Sequence, residues 1–169
     1  FGLSTGLIYE PSRFAQTEEL IELASVMTGS GALYATHIRN EGSGLLNAVT
    51  EAITIGAEAG VPVQISHHKA MGRENWGLVK RSLALIEAAQ ERGEDVHADQ
   101  YPYTAGSTAL QAIIANGAFS ANGSASGFNA MSAEDVIVAS CLDHPEYEGK
   151  SIAALSAEFG LPPEEAAQK

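Results

Sequence analysis

Cysteine is nearly absent from this 169-residue chain: Cys141 stands alone. That excludes an internal disulfide and any cysteine-rich metal cluster, and a reducing, cytoplasmic setting is the matching expectation. Basic residues are scarce as well, with nine Lys and Arg against 21 Asp and Glu and a formal charge of −12. Nucleic acid is therefore not an expected partner, because phosphate neutralisation needs clustered cations. The same charge balance argues against an anionic membrane surface. No apolar run approaches the roughly 20 residues that span a bilayer, and no charged-then-apolar leader is read at the start. The glycine-rich loops that cradle dinucleotides or phosphates are missing too. Gly2-Leu3-Ser4-Thr5-Gly6 fails the Gly-x-Ser-x-Gly pattern of a nucleophile elbow, so serine-triad hydrolysis is not favoured.

What is present is a globular composition, 45% hydrophobic and 18% charged, and a repeating unit. Gly2 to Thr5 reads as the end of a strand. Since the first residue is Phe1 rather than methionine, the chain is expected to be a piece of something larger. Thr17 offers a hydroxyl N-cap, and Glu18 and Glu19 sit in the first turn where the helix dipole favours anions. Leu20, Leu23, Ala24 and Met27 follow at helical spacing, stopped by Gly29-Ser30-Gly31. A short strand from Ala32 to Thr36 ends at His37. A helix from about Gly44 to Ala59 carries Leu45, Val49, Ala52, Ile53 and Gly56 on one face, with Gly60 as its C′ residue. Val61 to Ile65 is the next strand, running into Ser66-His67-His68-Lys69. A third helix is marked by Val79, Leu83, Ile86 and Ala89 and stopped by Gly93. Val96 to Tyr101 is a fourth strand. Strand, polar tip and helix thus recur, with tips at Thr5, His37, His67 and Tyr101, about 30–34 residues apart, the length that a crossover unit needs. Repetition of that unit means parallel strands with right-handed crossovers.

From Ala109 the pattern changes. Residues 120–127 are small and polar and read as a flexible linker. Val136 to Ser140 is a candidate strand. Ser151 caps a helix with Ile152, Leu155 and Phe159 inward, and a further helix begins near Pro162. Residues 109–169 are expected to form an insertion or small subdomain beside a main unit of residues 1–108.

His37 and His67 are the sharpest chemical pair. Each ends a strand-like run and precedes a helix, so both tips lie on one edge of the sheet. Strands about 4.8 Å apart let two imidazoles converge on one ion. The alternative is two polar strand ends facing solvent. His68 should point away from His67, by strand alternation, to an outer position or the surface. His97 reads as structural and His144 as a turn residue. Lys69 could bind a substrate carboxylate as a point charge or be simply solvated. Tyr101 could donate its phenol to a developing oxyanion or to substrate. Ser107 could offer a hydroxyl to a ligand or belong to a hydroxyl-rich turn.

Four segments occur in order: Gly2-Leu3-Ser4-Thr5-Gly6-Leu7-Ile8-Tyr9-Glu10-Pro11, Tyr34-Ala35-Thr36-His37-Ile38-Arg39-Asn40-Glu41, Ile65-Ser66-His67-His68-Lys69-Ala70-Met71-Gly72 and Asp99-Gln100-Tyr101-Pro102-Tyr103-Thr104-Ala105-Gly106-Ser107-Thr108. Together they resemble the N-acyl-D-amino-acid deacylases (D-aminoacylases) of the amidohydrolase superfamily. Asp143 to Ser151 is similar to that family's insertion domain.

The resemblance implies an α/β fold, part of a metal-dependent (β/α)8 TIM barrel comprising about strands four to seven, with part of an insertion domain. It implies that His37 and His67 are zinc ligands in a centre of one or two ions. Tyr9, Lys69, Tyr101 and Ser107 would line the pocket for a small N-acyl amino acid, Lys69 near its carboxylate. The family's His-x-His, metal-binding cysteine and catalytic aspartate have no counterpart here. The site is therefore expected to be incomplete and the chain alone inactive. An open half-barrel also implies self-association or a complementing chain. Two rivals remain at this stage: a dihydroorotase- or hydantoinase-like amidohydrolase, and a non-catalytic α/β binding module.

Overall fold

A computed structural model describes residues 1–115, 119 and 131–169; the expected linker at 120–127 lies outside the described residues. Two compact units are present, Phe1–Pro102 and Tyr103–Lys169.

The first unit alternates strand and helix: β1 (Gly2–Gly6), α1 (Thr17–Ser25), β2 (Leu33–His37), α2 (Leu45–Ala59), β3 (Val63–Ile65), α3 (Leu78–Glu91) and β4 (Val96–Ala98). The strands are all parallel, in the order β1-β2-β3-β4, as helical crossovers require. Register aligns Leu3, Tyr34, Val63 and Val96 in one row. The last three are buried in the core with Leu45, Val49 and Ile55 of α2. Each fully buried aliphatic side chain of this kind contributes about 1.5–3 kcal/mol. Helix α2 lies close on β3 because residue 56 is glycine: a Cβ there would stand 2.0 Å from Val63 Cγ2. The next row along the sheet, Ser4, Ala35, Gln64 and His97, points to the opposite face and is small or polar.

Several sequence expectations shift in detail. Thr17 is the first helical residue rather than the cap; Gln16 precedes it without a side-chain cap bond, and the Thr17 hydroxyl donates instead to Glu51 Oε1 at 2.8 Å. Helix α1 stops at Ser25, so Met27 lies beyond it. The Thr28 hydroxyl contacts both Ser25 O and Ala59 O, drawing the chain off the helix axis and onto the end of α2. Leu23 and Leu83 are exposed. In α3 the expected Ile86 and Ala89 are buried, and Ser82 is fully buried beside them. Strand β4 ends at Ala98, three residues earlier than expected, because Asp99 turns its side chain back to the β3 loop.

In the second unit, α4 spans Leu110–Ala115, α5 Ile152–Phe159 and α6 Pro163–Ala166. Ser151 caps α5, its side chain accepting from Ala154 N at 3.1 Å, and Ile152 and Leu155 are buried. Val136 to Ser140 is not a regular strand. It pairs only through an isolated antiparallel bridge between Ile137 and Ser151, with Val138 bonded to Gly149 and Lys150, because the partner run passes directly into α5 at Ile152.

Candidate metal centre

The parallel register brings the C-terminal ends of the strands to one edge: Gly6 is level with His37, Thr36 with Ile65, and Ile65 with Ala98. His37 is the last residue of β2, and His67 lies two residues past β3. Their rings meet with centroids 4.5 Å apart at 45°, and His37 Nδ1 is in hydrogen-bond contact with His67 Nε2. Tyr9 packs edge-on against His37 at 6.1 Å. Gly6 admits that phenol ring, since a Cβ there would lie 2.9 Å from Tyr9 Cδ2.

His67 adopts φ +41°, and is the one non-glycine residue with positive φ among the described residues. A histidine held in this left-handed region stores strain that its surroundings must offset. The offset comes from Asp99. Its Oδ1 accepts from the His67 backbone N–H at 2.6 Å, its Oδ2 accepts from Gln64 Nε2 at 2.8 Å, and its main-chain O accepts from His68 N at 2.8 Å. The kink turns the His67 ring toward His37 and sends His68 the other way. His68 is not at the surface but buried, its Nε2 2.8 Å from Ser82 Oγ. Ser82 donates its own proton to Val79 O, so His68 must be the donor to Ser82. Burial pushes the His68 imidazole below its ordinary range.

Behind His67 lies a residue to which the sequence attached no role. Glu41 Oε1 is 2.9 Å from His67 Nδ1 and 2.7 Å from Lys69 Nζ, and the Glu41 side chain is only 6% exposed. A carboxylate oxygen and a bare ring nitrogen would repel at this separation, so Nδ1 carries a proton. Burial alone would raise the Glu41 carboxyl, but the bond from His67 and the Lys69 ammonium outweigh it and hold it below the usual range. Lys69 Nζ also donates to His67 O at 2.8 Å and lies 5.4 Å from the centre of the Tyr101 ring. On the far side of the β2 loop, Arg39 donates to both Glu51 oxygens and to the carbonyls of Arg13 and Ala15, which ties down the loop carrying Tyr9.

Burial, assisted by the neighbouring His67, pushes the His37 imidazole below its ordinary range and keeps it neutral. Two imidazoles with ring nitrogens turned toward one another are the donor type that zinc takes. They fit part of a metal site. Among the described residues no group of three or more His, Cys, Asp or Glu is placed to hold an ion. His97 stands apart, exposed and paired with Asp95. His144 stacks on Tyr147 in the second unit, to which Ser107 also belongs. Among the described residues no helix is long and apolar enough to cross a membrane.

No protein-family model matches the chain. A curated D-aminoacylase from Alcaligenes xylosoxydans xylosoxydans is 40% identical over 159 residues, covering 94% of this chain and 30% of that protein. An N-acyl-D-glutamate deacylase from the same organism is 37% identical over the same shares. Among solved structures, the N-acyl-D-glutamate deacylase of Bordetella bronchiseptica, complexed with zinc and a phosphonate mimic of the tetrahedral intermediate, superposes with a TM-score of 0.82. It is 35% identical over 99% of this chain and 32% of its own. A D-aminoacylase studied for its binuclear metal centre gives a TM-score of 0.78 at 37% identity, over the same shares.

The class that sequence and fold are both similar to is the amidohydrolases. Within it, the similarity is to the N-acyl-D-amino-acid deacylases, as the ordered motifs indicate. The chain spans about 30% of the length of the curated relatives that it matches.

Proposed function

We propose that this chain supplies part of the metal centre and substrate pocket of a zinc-dependent enzyme that hydrolyses the amide bond of N-acyl-D-amino acids. The observation that carries this reading is the convergence of two imidazoles, His37 and His67, at the C-terminal edge of a parallel sheet in a chain that is 40% identical to a D-aminoacylase. That edge is where parallel α/β folds place their chemistry. The sequential strand order supports a segment of a (β/α)8 barrel, and residues 109–169 are read as part of its insertion.

His37 Nδ1 and His67 Nε2 would hold the metal. A zinc ion supplies a Lewis acid and a bound water acidified toward about pH 7. Lys69 presents a fixed positive charge for the substrate carboxylate, held between Glu41 and the Tyr101 ring. Tyr101, whose ring centre lies 5.4 Å from Lys69 Nζ, would offer its phenol to negative charge developing on a substrate oxygen. Tyr9 walls the pocket beside His37. The remaining ligands and the proton-shuttling carboxylate come from outside this chain, so the chain alone is inactive. The small, polar sheet face of Ser4, Ala35, Gln64 and His97 is the surface that the rest of the barrel, or a complementing chain, covers. The free thiol of Cys141 suits a cytoplasmic location.

The test is a substrate panel on the longer polypeptide that carries this segment. Zinc-dependent hydrolysis of N-acetyl-D-amino acids, with the L-enantiomers much slower, is the expected result. Turnover confined to dihydroorotate or hydantoins would overturn the reading, as would enzyme-like turnover by residues 1–169 alone with added zinc.

A further inference from the structure

We propose that Glu41 is a positioning residue that fixes His67 as its Nδ1–H tautomer and so presents the Nε2 lone pair toward His37. The proposal rests on the reading of His37 and His67 as metal ligands. Glu41 lies four residues past His37, on the loop that leaves β2. A carboxylate as buried as this one is costly unless its oxygens are bonded, and its partners are the ring N–H of His67 and the ammonium of Lys69. Its main chain takes part too, Glu41 O accepting from Met71 N at 2.7 Å. The loop after β3 is thus hung on Glu41 at three residues: His67, Lys69 and Met71.

The carboxylate decides which nitrogen of His67 carries the proton. A neutral imidazole has one ring proton to place, and Nδ1 has two neighbours that ask opposite things of it. Glu41, an acceptor, requires Nδ1–H. Lys69 Nζ, a donor only, stands 2.9 Å from the same nitrogen and would require it bare, which moves the proton to Nε2. With Glu41 present, the ammonium is drawn to Oε1 at 2.7 Å and to His67 O at 2.8 Å, and the acceptor prevails. Without Glu41, Lys69 is the charged neighbour left at Nδ1. The Nε2–H form that follows cannot ligate without losing a proton. Glu41 therefore both orients the ring and keeps Lys69 from blocking it, a role of the kind that carboxylates play behind metal-bound histidines.

Ring ¹⁵N–¹H correlation spectra of metal-free residues 1–169 test this directly, with zinc affinity as a second readout. Wild type should show His67 with Nδ1 protonated and Nε2 bare. Glu41→Leu should move the proton to Nε2 and weaken zinc binding about 10- to 100-fold. Glu41→Gln, whose amide oxygen still accepts, should keep the wild-type tautomer and lose less affinity, and it keeps the test alive if the leucine variant does not fold. An Nε2–H tautomer in wild type, or a tautomer and zinc affinity unchanged in both variants, overturns the proposal. Zinc binding that is indifferent to His67→Asn overturns the ligand reading instead, and the tautomer result is independent of it.

Discussion

The backbone N–H of His67 donates to Asp99 Oδ1 at 2.6 Å, across 32 residues of sequence, and this bond holds the histidine at a left-handed φ of +41°. Gln64, on the strand that leads to His67, secures the other Asp99 oxygen. The ring of His67 is therefore aimed by β4 as much as by its own strand. Asp99→Ala should lower the zinc affinity of the chain about tenfold or more, the range found when groups behind metal ligands are removed. Asp99→Asn, which keeps an acceptor oxygen, should lose less. Competition titration against a chelating dye reads both, and circular dichroism should show the fold retained.

The same φ gives His67 substitutions an unusual order of stability. Asparagine tolerates the left-handed region, whereas a β-branched residue there is strained. His67→Val should be about 1–2 kcal/mol less stable than His67→Asn, although valine suits a strand better. Urea unfolding of the two variants checks this. Equal midpoints would mean that the backbone at residue 67 is not held as described.

On the other side of the kink, His68 and Ser82 form a buried pair. Ser82→Ala removes the acceptor of a buried ring N–H and should cost about 1–3 kcal/mol. A change within a few tenths of a kcal/mol would indicate that His68 finds another partner.

Tyr34 supplies a pH dependence. It is fully buried, and its hydroxyl donates to Thr5 Oγ1, which in turn donates to Thr36. Burial raises the phenol pKa, while the Thr36 and Thr5 hydroxyls pull the other way and do not compensate. In the unfolded chain the phenol ionises near about 10. The folded state resists ionisation, so this residue's contribution is intact below about pH 10 and falls as pH rises above it. Tyr34→Phe should lose about 1 kcal/mol at neutral pH and show a shallower decline between pH 9.5 and 11 (about the accessible alkaline range, set by the phenol pKa). Parallel slopes for the two proteins in urea melts would contradict this.

Much of the scaffold was legible in the sequence because its causes are local. Leu45, Val49, Ala52, Ile53 and Gly56 repeat at helical spacing and are all buried, and Gly60 takes the left-handed cap expected of it. The polar tips at His37 and His67 follow from apolar runs that stop abruptly. What escaped the sequence is set by contacts at long range. Glu41 carries no assigned role, because nothing near it in sequence shows that Lys69, 28 residues on, will close over it. The turn at His67 is equally hidden, since its cause is Asp99. Val136-Ile137-Val138 has strand composition, yet a strand needs a partner, and the run opposite it passes into α5 at Ile152.

The most direct test of the central claim is a zinc titration of residues 1–169 in three forms: wild type, His37→Ala and His67→Asn. If the two imidazoles form part of a metal centre, wild type binds zinc more tightly than either variant, and each variant loses affinity while keeping its fold. Equal, weak uptake by all three would contradict the account and leave a non-catalytic α/β unit in its place.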